Sequence, residues 1–362
     1  MGADSPIEWC HHTINIWIGC TRVSPACDHC YAEKDWALGG LRGRVEWGPR
    51  GDRSPTKDPL AKFRALNAAA ARRGRRERVF VNSLSDWADN HKSILPEWRD
   101  VIFEAARTCP NLDLLLLTKR PQNIRRYLPG DWGDGYPNVW LGTTAENQVE
   151  ADRRIPDLLA TPAAVRFVSA EPLLAGIRFD RIKTGYRRAQ SSPDTLNALT
   201  GEELCGHGEY EGVFETSMTN RLDWIIVGGE SGPGARPMHP DWARSIRDQC
   251  AAAGVAFFFK QWGEYVALED AERLIPRAPG DVGARFDTMM IGGPPSKSRY
   301  TPMVRLGKRR AGRLLDGVEH NAMPQTAGAD FHAHAATVSA KLRLDFANDP
   351  VMDPTHDDGG LT

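Results

Sequence analysis

The ten residues LDLLLLTKRP, Leu112–Pro121, decide how the rest of the chain is read. Five leucines and one aspartate form an apolar run without alternation, which then stops abruptly at Thr118, Lys119 and Arg120. A strand with one face in water alternates apolar and polar residues, whereas a continuous run marks a strand buried on both faces, as in a parallel sheet. The same figure recurs in both directions. Upstream are INIWIG from Ile14 and RVFVNSLSDW from Arg78. Downstream follow NVWLGTTAEN from Asn138, VRFVSAEPLL from Val165, LDWIIVGGESG from Leu222 and VAFFFKQWGE from Val255.

Helix-like segments lie between several of these runs: residues 60–73, PEWRDVIFEAARTC, QVEADRRIPDLLA and PDWARSIRDQCAAAG. The last opens with proline in its first turn and closes at Gly254, both helix-boundary signals. The alternation predicts an α/β fold, either a βα barrel or a doubly wound sheet. The strand ends separate the two. Nearly every run ends in chemistry-capable side chains: Ser83 and Asp86, Thr118 and Lys119, Thr144 and Glu146, Ser169 and Glu171, Glu230, Lys260 with Gln261. A barrel gathers such ends around one mouth, while a doubly wound sheet concentrates them at one switch point. The spread predicts a partial (β/α)6-type barrel over residues 1–264. A polar insertion at 181–221 interrupts it, and an irregular C-terminal extension, 265–362, follows. The end of that extension, HDDGGLT, reads as disordered.

The 362 residues are 41% hydrophobic and 26% charged with a formal net charge of -1, so no global charge draws a polyanion. Two local runs, ARRGRRER (Ala71–Arg78) and GKRRAGR (Gly307–Arg313), suit phosphate contacts or, more simply, solvated faces. The opening MGADSPIEWCHH has no basic start followed by an apolar core, and no apolar run reaches the roughly 18 residues of a membrane span. A cytoplasmic protein without a membrane partner is expected. In that reducing compartment clustered thiols point to metal binding or catalysis.

The thiols cluster in IGCTRVSPACDHCYAE, Ile18–Glu33, where Cys20, Cys27 and Cys30 fall within eleven residues. A structural zinc needs four protein ligands, for which Cys10, His11, His12 or His29 are candidates to complete the set. A redox pair would use Cys27 and Cys30 but leave Cys20 unexplained. A [4Fe–4S] cluster held by three cysteines would leave one iron open to a substrate or cofactor. Cys205 and His207, in CGHGE, offer a further metal pair, but two ligands make no site.

A cysteine trio after the first strand of a βα barrel resembles the radical S-adenosylmethionine (SAM) superfamily. The spacing here is Cys-x6-Cys-x2-Cys, against the commoner Cys-x3-Cys-x2-Cys. GCTRVSPACDHCYAE, LLLLTKRPQNI, VSAEPLL, IIVGGESGPGARPMHPDWARSIRDQC, FFFKQWGE and GKRRAGRLLDG are similar to a radical-SAM-like family widespread in phages and prophages. The resemblance spans about Trp9 to Asp316. It implies that Cys20, Cys27 and Cys30 hold a [4Fe–4S] cluster and that SAM chelates the open iron. One electron would then yield methionine and a 5′-deoxyadenosyl radical, which takes hydrogen from an unactivated C–H bond. It implies, further, that His29 lies near the adenine and that Asn82, Ser83 and Asp86 stand where the amino group of SAM binds. Gly228 and Gly229 would bring backbone close to the adenosine. Thr144, Glu146, Ser169 and Glu171 would contact ribose and methionine. Lys119, Glu171, Glu230 and Lys260 are the candidate catalytic residues, with Lys119, Arg120, Lys260 and Gln261 facing a substrate phosphate or carboxylate. The expected substrate is a substituent on a nucleobase, a hypermodified thymine of phage DNA, with an electron donor such as flavodoxin as a second partner. The competing readings are a photoproduct repair lyase and a zinc-stabilised nucleic-acid-binding protein.

Overall fold

Six of the seven apolar runs assemble side by side, joined by the residues that lead into the first. The computed structural model describes residues 5–33, 46–184, 195–206, 214–274, 288–292 and 300–325. Strands β1 (His12–Ile14), β2 (Glu77–Val81), β3 (Leu112–Thr118), β4 (Val139–Thr144), β5 (Val165–Ala170), β6 (Trp224–Gly228) and β7 (Ala256–Gln261) form one 7-stranded sheet in chain order. Every neighbouring pair is parallel. A doubly wound sheet reverses its order at a switch point; this one does not, and it curls into a half-barrel.

The uninterrupted apolar character now has its cause, because alternate residues enter two different cores. Val79, Leu114, Leu116, Leu141, Val168, Ile225 and Phe259 face the helices. Those helices are α1 (Pro59–Arg72), α2 (Pro96–Thr108), α3 (Gln148–Leu159) and α4 (Pro240–Ala253). Their neighbours Phe80, Leu115, Trp140, Phe167, Trp224 and Phe258 fill the concave side together with Trp9. Trp224 is central there, meeting Trp140 and Phe258 edge-on at 6.0 Å between ring centroids, a favoured aromatic geometry. Gly142 makes room for this packing: a Cβ on it would stand 2.4 Å from the Phe167 ring.

The first strand departs from expectation. INIWIG does not run as one strand; β1 ends at Ile14, and Trp17–Ile18 pairs antiparallel with Ser54–Pro55. Side chains cause the break. The Asn82 carboxamide oxygen accepts the Ile16 N–H at 2.8 Å, and the Asn15 oxygen accepts the Leu84 N–H at 2.7 Å. These bonds occupy the groups that would continue the ladder and steer the chain away from β2.

In place of a helix, the β5–β6 connection carries a 4-stranded antiparallel sheet of Ile182–Lys183, Thr195–Asn197, Glu202–Gly206 and Phe214–Met218. Beyond β7, Tyr265–Ala267, Thr288–Ile291 and Thr301–Arg305 form a 3-stranded sheet. The chain then returns along the free edge of β7, where Phe259 N–H donates to His320 at 2.9 Å and Ala322 N–H to Phe257 at 3.2 Å. An edge open to foreign strands is thereby covered. The compact unit extends to Pro324; the HDDGGLT end lies outside the described residues. Among those described, no helix is long and apolar enough to cross a membrane.

The first basic run belongs to the end of the sheet remote from Cys20, Cys27 and Cys30. Arg73 and Arg75 pair with Glu77 at the start of β2, His12 approaches the same carboxylate at 2.8 Å, and Arg76 pairs with Asp113. Arg78 donates to the Trp9 carbonyl. These arginines fasten the bottom of the half-barrel, although Arg73 and Arg75 stay exposed. Burial pushes the Glu77 carboxyl up, but the bonds from His12, Arg73 and Arg75 outweigh it and hold the pKa at about 2, against an ordinary 4.5. Folding lowers this pKa, so the stabilisation is complete above pH 4.5 and is lost as pH falls toward 2. The difference corresponds to about 3 kcal/mol. Acid unfolding followed by tryptophan fluorescence should therefore show a steep limb between these pH values, and Glu77→Gln should flatten it.

Candidate active site

The cysteine loop starts where the chain leaves Ile18. Gly19 bridges Ser85 in parallel, which carries Cys20 to the C-terminal edge of the sheet. Pro25 then begins a single 3-10 turn, Pro25–Cys27, and the Cys30 N–H donates to the Cys27 carbonyl at 3.3 Å. Cys27 and Cys30 thus sit one tight turn apart. All three thiols are free, Cys27 buried and the other two half-buried.

Groups from three strand ends clamp this loop. After β4, one Glu146 oxygen accepts the Ala26 N–H at 3.1 Å while the other pairs with Arg154 of α3 at 2.9 Å. Burial pushes the Glu146 carboxyl up, yet Arg154 and the bonds to it prevail and hold its pKa below the ordinary value. After β6, Glu230 lies 3.1 Å from His29 Nδ1 and 2.7 Å from Arg236. Arg236 reaches on to Asp28 at 3.1 Å and the Pro25 carbonyl at 2.9 Å. After β3, Arg120 donates to the Thr21 carbonyl at 2.8 Å, to Asp86 at 2.8 Å and to Cys20 Sγ at 3.8 Å. Asp86 is itself fixed by the Thr118 hydroxyl at 2.6 Å and the Lys119 N–H at 3.0 Å. Arg53 completes the buried set, pairing with Asp89 at 2.8 Å and donating to the Thr21 hydroxyl at 2.7 Å.

A second polar cluster lies on the concave side. Lys260 pairs with Glu171 at 3.0 Å, and the other Glu171 oxygen accepts from Ser169 at 3.2 Å and the Trp9 indole at 3.3 Å. Burial disfavours charge on Lys260, but Glu171 outweighs it and keeps the ammonium pKa above its ordinary value. Gly228 and Gly229 have packing reasons of their own: Cβ atoms there would lie 2.6 Å from the Glu171 carboxylate and 1.8 Å from the Trp262 carbonyl. Lys119 is half-buried and its ammonium group makes no hydrogen bond or ion pair among the described residues, although its charge reaches Glu146.

The structure therefore brings the predicted residues to one edge and divides their duties. His29, Asp86, Glu146 and Glu230 bind the cysteine loop or its supports. Asn82 and Ser83 shape the strand exit, the Ser83 carbonyl accepting from the Tyr31 hydroxyl at 2.8 Å. Glu171, Ser169 and Lys260 form the inner cluster, Thr144 is buried, and Gln261 donates to the Gly229 carbonyl at 3.3 Å. Sequence reasoning missed Arg236 and Arg53, whose loop partners lie far away along the chain, and Arg154, which reaches the loop only through Glu146. His207 and the side chain of Cys205 lie outside the described residues.

Among the described residues, no three histidine, cysteine, aspartate or glutamate side chains gather closely enough to hold one metal ion. A tetrahedral zinc with sulfur at about 2.3 Å needs such a group, so the zinc reading gains no support from this geometry. An iron–sulfur cube is larger than an ion and spreads its thiolates around several irons. The donor set fits such a cube in type and number: three free thiols on one clamped loop.

Fold and site together define a parallel half-barrel protein with a thiol-bearing loop at the C-terminal ends of its strands. The chain belongs to the family described as a protein of unknown function (DUF5131), whose profile matches residues 4–324. No curated protein and no solved structure matches it.

Proposed function

We propose that this protein is a radical SAM enzyme whose Cys20, Cys27 and Cys30 hold a [4Fe–4S] cluster and which alters a substituent on a nucleobase. The observation that carries the reading is the cysteine loop fastened by Glu146, Glu230 with Arg236, and Arg120 to three strand ends of a parallel half-barrel. When bound, the cluster with SAM supplies one-electron cleavage of a sulfonium bond and hydrogen-atom abstraction.

This chain's own residues supply position and environment. The clamps hold the three thiols rigidly at the mouth, as a preorganised site requires. Trp9, Phe167, Trp224 and Phe258 form an apolar floor beneath Glu171 and Lys260, which excludes water from below. Lys119 and Lys260 provide cations for a carboxylate or phosphate. Lys308, Arg309 and Arg310 are exposed on a short helix. That helix is tied to the C-terminal end of β7 through the Trp262 N–H, which donates to Gly312 at 3.1 Å. This second basic run supports phosphate contact beside the mouth, with affinity that falls as salt rises. A base within a duplex would have to leave the stack to reach such a site. A flavodoxin-type donor supplies the electron.

Incubating the anaerobically reconstituted, reduced protein with SAM should release 5′-deoxyadenosine and methionine. S-adenosylhomocysteine as the main product would make it a methyl transferase and overturn the reading.

A further inference from the structure

We propose that Arg120 is a positioning residue that sets how readily the iron–sulfur centre at Cys20 accepts an electron, an inference that rests on the function proposed above. Arg120 is 6% exposed. One of its nitrogens points at Cys20 Sγ from 3.8 Å, and the other donates to the carbonyl of the next residue, Thr21, at 2.8 Å. The fork thus grips the cysteine and its backbone together. Its own position is fixed by Asp86 at 2.8 Å, with Asp89 at 3.7 Å. Each aspartate is held in turn, Asp86 by Thr118 and Lys119, and Asp89 by Arg53. A rigid guanidinium held this way is a worse candidate for substrate contact than a free one, because its donors are already engaged.

Its chemistry toward the sulfur follows from charge. Reduction adds an electron, and a nearby cation or an N–H donor to a ligand sulfur stabilises the reduced form. Asp86 and Asp89 oppose this effect, Asp86 through the same guanidinium nitrogen that faces the sulfur. Cys20 is accordingly embedded in a buried balance of two arginines and two aspartates. Among the described residues, neither Cys27 nor Cys30 has a charged side chain bonded to its sulfur. The arrangement makes Cys20 the ligand through which the protein adjusts the centre.

Opposite charge changes should move the potential in opposite directions, which loosening of the loop would not do. Midpoint potentials are read by EPR-monitored redox titration of the reconstituted full chain without SAM, alongside iron content. Arg120→Met should shift the potential to more negative values, and Asp86→Asn to more positive values, at wild-type iron content. A fully loaded variant of either kind with an unshifted potential overturns the proposal. Should Arg120→Met take up no iron, Asp86→Asn decides, since it keeps the guanidinium beside Cys20. A wild-type chain that binds no iron–sulfur centre removes the functional reading itself, and that is seen before any variant is compared.

Discussion

Replacing Cys20, Cys27 or Cys30 by alanine, one at a time, is expected to abolish the visible absorption of the iron–sulfur centre and all cleavage of SAM. The expectation follows from number. Three thiols are the whole protein contribution to a cluster with one open iron, and removing one leaves a second iron without its ligand. The remaining described cysteines serve as controls. Cys10 sits on the concave side within hydrogen-bonding reach of the Ser5 hydroxyl, and burial pushes its pKa up to about 11. Cys109 and Cys250 are buried beneath the helices. Alanine at these three positions should leave the spectrum unchanged. A full cluster in Cys20→Ala together with its loss in Cys10→Ala would show that the ligands are assigned wrongly.

Replacing Arg154 by methionine should lower stability by about 3–5 kcal/mol, the cost of stranding a buried partner charge. Arg154 is 1% exposed and pairs with both Glu146 and Glu150 at 2.9 Å. Glu146 is itself fully buried and would keep the Ala26 N–H and the more distant charge of Lys119. The same change should loosen the Pro25–Cys27 turn and reduce iron uptake, because Glu146 is what joins that turn to β4. Urea unfolding of the metal-free chain measures the first effect and iron content after reconstitution the second. An Arg154→Met chain as stable as wild type would mean that Glu146 is satisfied without its arginine.

The half-barrel was legible because its strands are buried on both faces. Runs such as Leu114–Leu117 and Trp224–Val227 carry no polar alternation, since successive side chains enter two different apolar cores in turn. The break in the first strand was not legible: it depends on Asn82 and Asn15 bonding across to residues more than 60 positions away. The site was legible in its residues and not in their duties. Glu230 ends a strand like a catalytic carboxylate, yet Arg236 and His29 occupy it. His29 approaches it from 201 positions away. The run from Arg72 to Arg78 reads locally as a phosphate patch or a solvated face, and only the pairing with Glu77 and Asp113 at the strand starts reveals the structural use of Arg73, Arg75 and Arg76. Charge runs and strand-end carboxylates show that a group is charged; only the fold shows what already pairs with it.

Iron and acid-labile sulfide analysis of the anaerobically reconstituted protein, with EPR of the reduced sample, tests the central claim most directly. A three-cysteine cluster site predicts about four irons and four sulfides per chain, and a reduced spectrum that changes when SAM is added to the open iron. One zinc per chain with no bound sulfide, or a reduced spectrum indifferent to SAM, would contradict it.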